Sequence, residues 1–258
     1  LGPMLGGFLY AAFGLTGTLW VALALVLVAA LLIARIQPRG VPPMPEGEVN
    51  LWQSMREGID FVRKTPIIFY SISLDLFSVL FGGVVAILPI YAEDILKVGP
   101  QGLGVMRAAP SVGAMLTLLV CAWLPPTGKA WRNLLLAVAG FGIATLVFAV
   151  SPWFWLSVFA LFCTGAFDSV SVIIRSTILQ VFPPDHLRGR VQAVNSVFLS
   201  CSNELGAFES GLAAHVLGTV RSVVCGGIVT MSIVSWVALR SNALFAVRLQ
   251  QAEPQGVH

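Results

Sequence analysis

Apolar runs of about twenty residues, the length that crosses a hydrocarbon core as a helix, recur down this chain and leave few folds open to it. They are Thr18–Ile36, Ile67–Tyr91, Leu103–Leu124, Leu134–Val150, Trp153–Phe182, Val191–Leu217 and Val220–Leu239, with a shorter run, Leu1–Phe13, ahead of them. Clusters of proline, glycine and charge separate them: Glu93–Gly99, Pro125–Asn133, Ser151-Pro152, Pro183–Arg190 and Gly218–Arg221. A helix satisfies its backbone polar groups internally, so apolar runs of this length read as membrane helices. Only 10% of the residues are charged and 57% are hydrophobic, against about 25% charged in soluble domains. The expected class is an all-α integral membrane protein.

The four cysteines, Cys121, Cys163, Cys201 and Cys225, each lie inside an apolar run and form no C-x-x-C pair. Neither zinc nor a disulfide framework is indicated, and buried free thiols are expected. No G-x-x-x-x-G-K-[ST] phosphate loop and no G-x-S-x-G elbow occurs. His186 and His215 fall near opposite membrane faces. The chemistry is therefore not that of an enzyme, and no metal or other cofactor is expected.

Leu1–Phe13 would rise only about 20 Å, short of a core of about 30 Å, so the chain is expected to begin within a membrane helix. Gly14 and Gly17 suggest a tight turn before the next run. Residues 38–50 are proline-rich and polar, and read as a linker. In residues 51–64, Leu51, Trp52, Met55, Ile59 and Val62 share one helical face, and polar and charged residues fill the others. That pattern predicts an amphipathic helix on the membrane surface.

Lysine and arginine set the orientation. Arg35, Arg39, Arg56, Arg63, Lys64, Lys129, Arg132, Arg188, Arg190, Arg240 and Arg248 fall on one side, and only Lys97 and Arg221 on the other. The linker, the Arg188-Gly189-Arg190 turn and the C-terminus are thus expected in the cytoplasm. Two helices, a long cytoplasmic linker and a block of six helices resemble part of a two-half transporter.

Ionisable residues inside these runs are costly and mark pathways or structural pairs. At the helical rise, Asp168 lies about 22 Å into its run from Trp153, and Arg175 about 10 Å further on, too far for a direct salt bridge. Glu204 lies about 20 Å into the following run from Val191, with Asn203 beside it and Asn195 about 6 Å in. Asp168 and Glu204 therefore share a depth. If their helices face each other, two carboxylates in a low-dielectric medium do not readily both stay ionised, which suits a proton carrier. The alternative is a helix-locking network of Arg175 and these acids with Asn195, Asn203 and nearby serines. Asp75 lies about 12 Å into its run, and Arg107 near the other face, where it would snorkel or pair with Glu93 or Asp94.

The opening Gly2, Pro3, Gly6 and Gly7, the segment PPDHLRGRVQAVNS (183–196), and the runs Tyr91–Pro110 and Ser202–Gly211 resemble the major facilitator superfamily, in particular its enterobactin-exporter-like efflux branch. The resemblance implies a fragment covering about helices five to twelve. Residues 1–37 would be the last two helices of the N-terminal half, the first of them truncated. Residues 38–65 would be the cytoplasmic linker with its amphipathic helix, 66–240 the C-terminal six-helix half, and 241–258 a cytoplasmic tail. It implies secondary active transport by alternating access, with efflux of a small amphipathic molecule, siderophore or drug-like, driven by a proton gradient across a bacterial inner membrane. Asp168, Arg175, Glu204, Asn203 and Asp75 are the candidate proton-coupling or substrate-pathway residues, and Arg188, Gly189 and Arg190 a cytoplasmic gating turn. The partners implied are a small-molecule substrate, the lipid bilayer and the absent N-terminal helices, without nucleic acid. A non-transporting membrane scaffold of the same fold is the alternative function.

Overall fold

The computed structural model describes residues 2–35, 51–126, 128–241 and 244–245. Every regular element among them is helical. Residues 38–50 of the expected linker (38–65) and most of the expected tail (241–258) lie outside the described residues. The chain divides into two compact units, 1–49 and 50–258.

The first unit is α1 (Gly2–Ala34), two helical segments joined at Gly14, whose φ of 66° and ψ of −175° are non-helical. A positive φ of this kind is open to glycine and strained for other residues. The expected break is therefore a single residue, and Gly17 is already helical. The Thr18 hydroxyl donates to the Gly14 carbonyl at 2.8 Å and starts the second segment.

The second unit begins with α2 (Leu51–Lys64). Six passes follow. The first comprises α3 (Pro66–Gly82), a 3-10 turn (Val85–Ile87), the short α4 (Leu88–Ile90) and a π turn (Tyr91–Ile95). The others are α5 (Gly99–Trp123), α6 (Ala130–Val150), α7 (Phe154–Val181), α8 (Asp185–Leu217) and α9 (Thr219–Arg240). Phe13–Ala34, Pro66–Ile95, α5, α6, α7 and α9 are long and apolar enough to cross a membrane. The expected apolar run Val191–Leu217 is corrected here: α8 falls outside that set because it carries Gln192, Asn195, Asn203, Glu204 and Glu209. It is still about 50 Å long and packs along α2, α3 and α9.

The packing of the six passes has an exchange symmetry. α5 and α6 lie against α7, α8 and α9 lie against α3, and α6 lies against α9. Swapping α3, α5, α6 for α7, α8, α9 reproduces these contacts between the repeats. Three helices per repeat reverse the direction of the second repeat, which is the arrangement of an inverted pair.

The close approaches obey the same exchange. A Cβ on Gly113 of α5 would enter the backbone of α7 at Phe162, and one on Gly165 of α7 would enter the backbone of α5 at Pro110. On the other side of the exchange, a Cβ on Gly206 of α8 would press on the α3 backbone at Val79 and Leu80. Small residues let helix backbones approach where apolar lipid offers no hydrophobic drive for association.

Two apolar cores cap the unit. One, at the end that carries Lys64, Lys129 and Arg240, gathers Val62, Ile68, Leu74, Trp131, Ile178, Val191 and Val237. There the Trp131 indole donates to the Ser241 hydroxyl at 2.9 Å. The other holds Leu88, Tyr91, Met106, Phe148 and Leu161, with the Tyr91 hydroxyl donating to the Ala149 carbonyl at 3.2 Å. None of the four cysteines is buried: Cys121 and Cys163 are half-buried, Cys201 and Cys225 exposed. The expectation of buried thiols fails because these residues sit on outward helix faces.

Candidate functional site

Arg175 of α7 is ion-paired with Asp75 of α3, and both are almost fully buried, at 4% and 7% exposure. Asp75 is about 14 Å along α3 from Pro66, and Arg175 about 9 Å short of Val181, so the two approach one depth from adjacent helix ends. Charges taken from water are tolerated only when paired. The pairing with Asp75 replaces the expected network of Arg175 with Asn195 and Asn203. Asn195 is buried on α8, and the exposed Asn203 amide donates to its own helix at the Leu199 carbonyl, 2.9 Å away.

Asp168 lies two turns back from Arg175 on the same face of α7, about 10 Å along the axis. It forms none of the ion pairs among the described residues, and it is exposed. Together with Asp75 it lines a small hollow of about 10 Å³ between α3, α6 and α7, walled by Ser78 and Ser171 and by the apolar Val79, Ala137, Val138, Phe141 and Phe167. The site thus brings together a carboxylate without an ion-pair partner, a wall of serine, aromatic and aliphatic side chains, and Asp75, whose other contact is the ion pair to Arg175.

No described contact joins Asp168 to Glu204, and α7 and α8 touch only slightly. The equal-depth argument holds along each helix, but α7 packs on α5 and α6 while α8 packs on α2, α3 and α9. The physical reason is the exchange pattern, which makes each helix pack mainly on the other repeat. Asn203 and Glu204 are exposed on α8, apart from the ion pair. Arg107 is exposed on α5 and forms no ion pair with Glu93 or Asp94.

Arg188, Gly189 and Arg190 are corrected from a turn to the opening turns of α8, which starts at Asp185. Pro183 and Pro184 stop α7, and Pro184 takes an extended conformation that serves as the helix N-cap. Asp185 then places an acid in the first turn, favourable at the positive end of the helix dipole, and pairs with Arg188 at 3.0 Å. Arg190 reaches out of the helix and is ion-paired with Glu57 of α2. Beside that pair Gly58 lies against the Arg190 carbonyl, where a Cβ would stand 3.1 Å away.

Sequence reasoning missed Glu57 and Gly58, and with them the docking of α2 on α8. Partners 133 residues apart leave no local pattern to read. Nor did the Asp75–Arg175 pair leave one: its members stand about 14 Å and about 9 Å from their helix ends, and only the packing of α3 on α7 brings them together.

Residues 1–207 match the sequence profile of the Major Facilitator Superfamily. The chain belongs to that superfamily. Among curated relatives, a multidrug efflux pump, Tap, of Mycolicibacterium fortuitum is 27% identical over 84% of this chain and 54% of its own length. The enterobactin exporter EntS of Escherichia coli O81 (strain ED1a) is 23% identical over 88% of this chain and 54% of its own. The chain spans about half the length of the curated relatives it matches. As a superfamily member it is a multi-pass membrane protein, and Asp168 and Asp75 line its hollow, with Arg175 paired to Asp75.

Proposed function

We propose that this superfamily member is part of a secondary active transporter that expels a small amphipathic molecule and draws its energy from a proton gradient. The observation that carries this reading is Asp168, exposed and without an ion-pair partner on the wall of a mostly apolar hollow halfway along an apolar helix. A carboxylate facing lipid there is too costly, so its face belongs to a water-accessible path. Asp168 takes up and releases the proton. Arg175 and Asp75 tie α7 to α3, so that a change of charge at Asp168 acts on a joint between helices. Glu204 and Asn203 on the exposed side of α8 line the same path when the halves come together.

In this reading alternating access is a rocking of helical halves about the site. Arg188, Gly189 and Arg190, with α2, form the cytoplasmic gate, and the membrane is the bacterial inner membrane. The efflux direction and the siderophore or drug-like cargo rest on the likeness to a multidrug efflux pump and an enterobactin exporter.

The test is gradient-dependent efflux by the full-length protein in inverted vesicles, with Asp168→Asn and Glu204→Gln. Loss of the gradient dependence in Asp168→Asn, with a milder effect in Glu204→Gln, is expected. Unchanged coupled efflux in both would exclude the coupling role. A scaffold of the same fold would give no gradient-driven flux in any variant.

A further inference from the structure

Among the described residues, one face of α2 packs on the bundle and another is exposed. Gly58 and Val62 are buried, and Ile59 and Phe61 pack against the core that contains Val191 and Val194. The apolar stripe expected from the sequence is therefore split. Part of it docks on the protein, and Trp52 and Met55 remain outside at 81% and 41% exposure. Trp52, Arg56 and Arg63 stand at i, i+4 and i+11, one stripe on a helix. Both arginines are exposed, as is Lys64 at the helix end. Asp60 is the acid on this open side, since the carboxylate of Glu57 is taken by Arg190.

Position identifies what this stripe faces. The crossing that starts at Pro66 follows Lys64 after a single residue, Thr65. Thr65 is bound into the end of α2 through the Phe61 and Val62 carbonyls and caps α3. α2 is thus held at the boundary where the chain enters the hydrocarbon. Tryptophan sits at headgroup level, and arginine and lysine there are drawn to anionic lipid.

We propose that the Trp52–Arg56–Arg63 stripe of α2 is a docking surface for anionic lipid headgroups. Lipid binding then stabilises the helix that Glu57 and Gly58 fasten to the start of α8, so that bilayer charge acts on the end of α8 through one short helix. The inference rests on packing and exposure and stands apart from the proton-coupling reading.

The experiment is hydrogen exchange of residues 51–64, read by mass spectrometry on the full-length protein in nanodiscs of phosphatidylglycerol or of phosphatidylcholine with the same acyl chains. Exchange is expected to be roughly tenfold slower in phosphatidylglycerol, with the difference shrinking at about 0.5 M salt as charge is screened. Arg56→Gln/Arg63→Gln should erase the difference, and Arg56→Lys/Arg63→Lys should keep most of it. Equal exchange of the unaltered protein in the two lipids would overturn the proposal. So would a difference that persists in the double glutamine variant, which would assign the lipid effect to another surface and leave this stripe to a protein partner.

Discussion

Asp75 and Arg175 are each tolerable only because of the other. A buried ion pair broken on one side leaves a stranded charge at a cost of about 3–5 kcal/mol, whereas replacing both members by well-packed apolar residues is often neutral or stabilising. Asp75→Asn and Arg175→Met are each expected to lower stability by about that amount, and Asp75→Leu/Arg175→Met to recover most of it. Thermal unfolding in detergent reads all three. A loss in the double variant as large as the two single losses together would mean that the charges are not coupled. The neighbouring Asp168 should behave otherwise: it is exposed and forms no ion pair, so Asp168→Asn should leave stability within about 0.5 kcal/mol of the original.

At the scale of elements, the joint between α5 and α7 is made by absence of side chains. A methyl group on Gly165 meets the Pro110 backbone, which cannot swing aside as a side chain can. Gly165→Ala is therefore expected to cost about 1–3 kcal/mol as overpacking. Gly104, also in α5, has open space where its Cβ would be. Gly104→Ala should cost nothing, because alanine is the better helix former by about 0.5–1 kcal/mol. The pair of unfolding temperatures separates helix contact from helix propensity. Opposite signs support the interlock, and equal small effects would argue that α5 and α7 are loosely apposed.

The helices themselves were readable from the chain because hydrophobic length and breaker residues are local. Pro183-Pro184, Ser151-Pro152 and Gly14 end or bend helices through their own backbone chemistry, and each break falls where that chemistry requires. What was not readable is which helix stands beside which. Asp168 and Glu204 have matching depths along their axes, but depth is one coordinate, and the azimuth that would bring them together is set by the packing of α3. Asp75 appeared in the sequence as one more acid in an apolar run, and only the α3–α7 contact made it the partner of Arg175. The polarity of α8 was visible residue by residue, yet the run still looked apolar enough to be grouped with its neighbours.

At the scale of the whole molecule, most contacts in the six-pass unit run between the two three-helix repeats, not within them. Neither repeat has a core of its own. Cutting the chain between α6 and α7, at Ser151-Pro152, is expected to give two pieces that are degraded when made singly and that co-purify when made together. A stable first repeat on its own would contradict this.

The same contact pattern sets the order of events at the ribosome. Asp75 enters the bilayer on α3 long before Arg175 has been made, an interval of several seconds at roughly 5–20 residues per second. Through that interval the first repeat carries an acid with no cation to meet it, and its helices lack their packing partners. The newborn chain is thus a different membrane protein from the finished one, holding a carboxyl group whose partner is still to come. Replacing that acid by leucine should lengthen the life of a chain halted after α6, even though the same change strands Arg175 in the complete one.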